Sequence, residues 1–107
     1  LYWRAGLEPL PDAKVFVHLV DPAGAVIAQV DAVPVQWQRP TSGWRAGEVI
    51  TDGYQLSVPA DSADGEYMLY VGLYDPVTLV RWTASDASGR PLLDERLPVG
   101  PITIARP

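Results

Sequence analysis

The sequence predicts an all-β fold, a single antiparallel two-sheet β-sandwich, immunoglobulin-like or related, of about seven strands. Three observations predict it. The 107 residues include 11 prolines and 9 glycines, which interrupt every window long enough to hold several helical turns. Runs of β-branched and aromatic residues alternate between two faces, as half-buried strands require. Short clusters of Asp, Pro, Gly and Ser stand between those runs and supply turn chemistry.

The segment from Lys14 to Val20 reads as a strand, with Val15, Val17 and Leu19 on one face and Phe16 and His18 on the other. Asp21-Pro22-Ala23-Gly24 turns it, because proline presets a turn φ and glycine accepts a positive one; Ala25 to Val30 returns as the hairpin partner. Residues Asp31 to Gly47 carry Pro34, Pro40, Gly43 and Gly47 with Trp37 and Trp44, too irregular for a ladder, and are expected as a structured loop or a binding loop. Strand character resumes from Glu48 to Val58, where the alternating set Ile50, Tyr54, Leu56 and Val58 also contains Asp52. An acid on an apolar face needs a partner, either an arginine such as Arg45 or Arg81 or a set of backbone N–H groups.

After a turn at Asp61 to Gly65, Glu66 to Asp75 forms the longest strand, with Tyr67, Leu69, Val71 and Leu73 facing one way and Met68, Tyr70, Gly72 and Tyr74 the other. Val80 to Thr83 reads as a short strand and Ser85 to Pro91 as a turn. Leu97 to Ile104 is a last strand whose Pro98 and Pro101 place it at a sheet edge, since proline cannot donate to a ladder.

Composition narrows the function classes. Hydrophobic residues make up 48% of the chain and charged residues 20%, so it has the material for one core and, at this length, one domain spanning 1–107. The formal charge of -5 and the single lysine, Lys14, argue against a phosphate backbone or an anionic membrane surface as partner. With no cysteine, disulfides, zinc-thiolate sites and a cysteine nucleophile are excluded. No apolar run approaches the ~20 residues that span a bilayer. The chain opens at Leu1 inside the apolar stretch Leu1-Tyr2-Trp3, as expected of a domain cut from a longer polypeptide.

No catalytic constellation can be assembled. His18 is the only histidine, no serine sits in a nucleophile elbow, and Glu8, Glu48, Glu66 and Glu95 offer no evident pair for glycoside hydrolysis. His18 is expected to be structural, together with Asp52, Arg45 and Arg81 as a polar set. No cofactor is expected. Calcium remains an alternative, because Asp21, Asp31, Asp52, Asp75 and Asp94 sit near strand ends, although turns favour aspartate for local hydrogen bonding too.

The aromatics are the main binding candidates, with four tryptophans and five tyrosines. Flat rings cover sugar C–H groups while Tyr O–H and Trp N–H orient hydroxyls. Tyr70 and Tyr74 share one strand face with Gly72 between them, a gap that would let a ligand approach the backbone; Trp37, Trp44 and Trp82 would supply further walls. The competing reading is that these rings fill the core, with Trp44 plugging one end of the sandwich.

The residues Phe16-Val17-His18-Leu19, Asp21 and Gly24, then Pro40-Thr41, Trp44, Gly47-Glu48, Asp52, Pro59, Gly65, Tyr67 and Val71-Gly72-Leu73-Tyr74-Asp75 form a pattern of strands and turns. From Val15 to Arg81 this pattern resembles the extracytoplasmic C-terminal β-sandwich domain of bacterial polytopic membrane proteins similar to family 39, mannosyltransferase-like glycosyltransferases. It departs at Thr78-Leu79-Val80-Arg81-Trp82, where the family usually has a Gly-containing turn and then Arg-Leu. The resemblance implies a membrane-anchored parent using a lipid-linked sugar, with this domain non-catalytic on the extracytoplasmic side of the bacterial membrane. It implies as partners a carbohydrate or the membrane portion of the parent chain. A free-standing carbohydrate-binding module and a calcium-dependent adhesion module are the alternative functions.

Overall fold

A computed structural model describes residues 1–6, 10–34, 38–45, 47–83, 85, 86 and 88–104, Tyr2 by its backbone alone. These residues form two antiparallel sheets in an all-β, sandwich-like arrangement. The larger has four strands in the order β3 (Val26–Ala32), β2 (Lys14–Val20), β5 (Gly65–Tyr74), β6 (Leu97–Ile104). The smaller pairs β1 (Tyr2–Arg4) with β4 (Val49–Thr51), and reciprocal backbone hydrogen bonds of 2.8 Å between Leu1 and Asp52 extend it by one pair. Single 3-10 turns occur at Thr41–Gly43 and Leu93–Glu95.

The inward face of the large sheet is the apolar set of β2 and β5. Val15 pairs with Leu73, Val17 with Val71 and Leu19 with Leu69, so paired branched side chains stack across the two central strands. Val15 is fully buried, and Leu1, Trp3, Tyr54, Leu56 and Trp82 close over this cluster. A second cluster of Ala5, Trp44 and Ile50, with Trp3 and Leu10 against it, fills the end of the small sheet.

Six strands are described where about seven were expected. The expected Val80 to Thr83 strand is a single bridge from Arg81 to Tyr74. Of the expected strand from Glu48 to Val58 only Val49–Thr51 is in a ladder, because its partner β1 is three residues long. The alternation itself continues past the ladder, with Ile50 and Asp52 buried and Tyr54 and Leu56 half-buried. β6 lies at the sheet edge, where Pro98 and Pro101 are tolerated.

The described part of the loop before β4 is tied down by its own polar groups. Thr41, with no exposed surface, accepts the Ala13 N–H at 2.9 Å and donates to the Pro11 carbonyl at 2.6 Å. Arg39 and Glu48 form an ion pair of 2.6 Å, and the other Glu48 oxygen accepts the Arg45 N–H at 3.0 Å. Removing the buried hydroxyl orphans an N–H and a carbonyl, so Thr41→Val is expected to cost about 1–3 kcal/mol in urea denaturation. A wild-type unfolding curve for that variant would show that the loop is held by something else.

Candidate functional site

Between the hairpin strands the ladder shifts by one residue: Val20 pairs with Val26, but Leu19 pairs with Ala28. This bulge sets the face on which Asp31 emerges. Continued without it, the register would pair Val15 with Asp31 and send the carboxylate to the core; with it, Asp31 stands opposite Phe16 on the outward face. Phe16 in turn pairs with Gly72, and His18 with Tyr70.

The outward face of the large sheet therefore collects a mixed set of side chains. A pocket of about 360 Å³ is lined by Phe16, His18, Asp31, Tyr74, Leu79 and Arg81. The Phe16 ring, 2% exposed, is its floor, with the His18 ring 4.9 Å and the Tyr74 ring 6.3 Å away, centroid to centroid. The Arg81 guanidinium lies over the Phe16 ring at 4.6 Å and donates to the Asp94 carbonyl at 3.3 Å. Arg96 lies over Tyr70 in the same way, at 3.7 Å. Such stacking holds a guanidinium in place while leaving its N–H edge open.

Asp31 and Tyr74 line the same pocket. Burial, then the negative charge and hydrogen-bonding capacity of the Asp31 carboxylate, push the Tyr74 hydroxyl above its ordinary pKa, so it stays a proton donor. His18 is pushed below its ordinary value of 6.5, chiefly by burial; Asp31 opposes this, while Arg81 and Arg96 add to it. The imidazole is therefore neutral at neutral pH. Because the unfolded chain takes up this proton first, the stabilisation from neutral His18 is complete above about pH 6.5 and is lost as pH falls through the lowered folded-state value. The thermal midpoint is expected to fall between about pH 7 and pH 5, and the slope should flatten in His18→Gln. An unchanged slope in that variant would assign the pH dependence to other groups.

The residues singled out by sequence fall on different sides of the molecule. Tyr70 and Tyr74 are on the outward face, half-buried. The gap expected at Gly72 is closed, because the Phe16 ring lies across it and the Glu95 carbonyl comes down on it. Trp82 turns inward against the core and donates its backbone N–H to the Leu73 carbonyl at 2.8 Å. Trp44 is buried in the second cluster, its indole N–H 3.1 Å from the Arg39 carbonyl, as the core-plug reading expects. These two tryptophans thus form no common platform with the tyrosines. Trp37, like Glu8, lies outside the described residues.

Asp52 is 1% exposed, and one of its oxygens accepts the Trp3 indole N–H at 3.0 Å and the Tyr54 hydroxyl at 2.6 Å. The sequence predicted an arginine or backbone N–H groups for this carboxylate and did not point to the indole or the phenol. Arg81 is instead on the outward face, and Arg45 is exposed, with its backbone bonded to Glu48. Burial and the Asp52 carboxylate drive the Tyr54 hydroxyl far above its ordinary pKa, which keeps this bond a donor to an acceptor.

Of the aspartates considered for calcium, Asp21 and Asp75 are occupied by amides of their own turns, and Asp52 by the Trp3 and Tyr54 donors. Asp21 accepts the Ala23 and Ala25 N–H groups at 3.0 and 2.8 Å, and Asp75 those of Val77 and Thr78 at 2.7 and 3.0 Å. Among the described residues no group of three His, Cys, Asp or Glu side chains is arranged to hold a metal ion. No helix among them is long and apolar enough to cross a membrane.

Of the site residues, Phe16, Leu79 and Arg96 were not singled out by sequence reasoning, His18 and Arg81 were read as structural, and Asp31 was considered only for calcium. The strand alternation that puts Phe16 beside His18 was available, whereas the bulge that brings Asp31 to them has no marker in the residues. Fold and site together define an all-β two-sheet domain with a polar-aromatic pocket on the outward face of its larger sheet. Compared with protein-family models, curated proteins and solved structures, the chain matches none.

Proposed function

We propose that this is a non-catalytic binding domain that reads a saccharide on the outward face of its large sheet. We place it as the immunoglobulin-like extracytoplasmic accessory module of a membrane-anchored, glycosyltransferase-like bacterial parent. The observation that carries the binding reading is the convergence of Asp31, Tyr74, His18 and Arg81 around the Phe16 floor. A carboxylate and a guanidinium are the usual partners of sugar hydroxyls, and the pocket of about 360 Å³ lies within the range of small-molecule sites, ~300–1,000 Å³. One carboxylate, Asp31, lines it, whereas glycoside hydrolysis ordinarily takes two across the scissile bond, which favours binding over turnover. The membrane-anchored parent is supported by the resemblance in strand and turn pattern from Val15 to Arg81.

A glycan-array screen of the 107-residue chain tests this, followed by calorimetry of hits with Asp31→Asn and Tyr74→Phe. Saturable binding weakened in both folded variants is the expected result. No binding at ~10 mM sugar would remove the saccharide reading and leave a spacer or docking role.

A further inference from the structure

The outward face has a charge arrangement that a neutral sugar does not use. The chain is acidic overall, with 13 acidic against 8 basic residues, yet two of its arginines are brought to this one face. Among the described residues neither Arg81 nor Arg96 is in an ion pair with a carboxylate, unlike Arg39 with Glu48. Both guanidiniums are instead stacked on aromatic rings of adjacent strands, Phe16 of β2 and Tyr70 of β5, with His18 paired directly to Tyr70. A stacked guanidinium keeps a planar fork of donors that matches a carboxylate or a phosphate, and its fixed position lowers the ordering cost of using it.

Charge is also graded across the sheet. Asp31 is on the edge strand β3, while Arg96 immediately precedes the opposite edge strand β6. At about 4.8 Å per strand, three steps put roughly 14 Å between the two edges. Asp31 therefore stands at one edge of the face, Arg81 next to it over Phe16 of the adjacent strand, and Arg96 one strand further on over Tyr70, so a bound molecule meets the carboxylate at one end and a guanidinium beyond it. Besides His18, the titratable and charged groups on this face are Asp31 from β3, Lys14 along β2, Tyr70 and Tyr74 from β5 with the exposed Glu66 at the far end of that strand, and the two arginines; Asp94 and Glu95 of the overlying turn are exposed.

Building on the saccharide reading, we propose that the domain selects acidic saccharides, with Arg81 and Arg96 holding the anionic group and Asp31 taking hydroxyls of the same molecule. A uronic-acid carboxylate and a sugar phosphate share this chemistry.

His18 is the sole histidine, so its imidazole proton resonances report on the site without overlap. Glucose, glucuronate, glucose 6-phosphate, acetate and inorganic phosphate are titrated in turn while the His18 midpoint is followed by NMR. An anion held beside the imidazole raises that midpoint. Glucuronate or glucose 6-phosphate is expected to raise it and glucose to leave it unchanged, and whichever acid binds tells carboxylate from phosphate. Arg81→Gln and Arg96→Gln should each weaken the acidic sugar about tenfold, with Arg→Lys intermediate because the charge remains and the fork is lost. Glucose binding as tightly as glucuronate and glucose 6-phosphate would overturn the acidic preference while sustaining the saccharide reading. Acetate or inorganic phosphate binding as tightly as the acidic sugars would reduce the site to plain ion attraction and overturn the proposal. No response to any of the five ligands overturns both readings, and this comparison stands on the wild-type chain even if an arginine variant misfolds.

Discussion

Gly72→Ala is expected to destabilise the domain by about 2–3 kcal/mol, close to the upper end for one added methyl group. A Cβ at position 72 would fall well inside van der Waals contact of two Phe16 ring atoms and 2.8 Å from the Glu95 carbonyl oxygen. Neither neighbour can yield cheaply. The Phe16 ring is 2% exposed and lies under Arg81, and the Glu95 oxygen belongs to a turn whose Asp94 and Glu95 already stand at positive φ, 54° and 51°. The loss would appear as a drop of about 10–20 °C in thermal midpoint for a chain of this size. Phe16→Leu should recover part of it in the double variant, giving a coupling that two independent losses would not show. A wild-type midpoint for Gly72→Ala would mean that the outward face is looser than its packing indicates, and the pocket floor with it.

The second large effect is expected at Asp52. Asp52→Ala removes the acceptor shared by the Trp3 indole and the Tyr54 hydroxyl, and with it the tie between the two strands of the small sheet and the segment that follows. An unsatisfied donor costs about 1–3 kcal/mol when buried; both of these are partly buried, so about 2–4 kcal/mol in total is expected from urea denaturation. Asp52→Asn keeps an acceptor and should cost less, and Tyr54→Phe less again, since it removes a donor along with its bond. If Asp52→Ala and Asp52→Asn unfold at the same urea concentration as the wild type, the carboxylate is a passenger and the small sheet is held by its apolar contacts alone.

Both predictions concern positions where a local rule of sequence is broken: a glycine in mid-strand and an acid on an apolar face. Both anomalies were visible in the residues; their causes were not. The gap at Gly72 looked like room for a ligand, since sequence shows what a residue lacks and not which neighbour fills the space. Asp52 looked like half of an ion pair or an acceptor of backbone N–H groups. Its observed donors, an indole and a phenol, have weak sequence signals because those side chains serve equally well as core hydrophobes.

What the residues by themselves determined is the local layer of structure. Alternation in Lys14 to Val20 and Glu66 to Asp75 set the inward faces of the two central strands, because a buried face admits only apolar side chains at every second position. The Asp21 to Gly24 turn set the hairpin, and Pro98 and Pro101 set the edge, since each follows from the φ limits or missing N–H of single residues. Tertiary structure decided everything that depends on which strands meet. The pairing of β1 with β4 and the meeting of Arg81 and Arg96 over rings of neighbouring strands join residues from far-separated parts of the chain, and the bulge that turns Asp31 outward is fixed by how its hairpin packs on the rest of the sheet. Burial and pairing free energy are shared among such contacts, so no single segment encodes them; a one-residue shift in one ladder is enough to decide whether the pocket has a carboxylate at all.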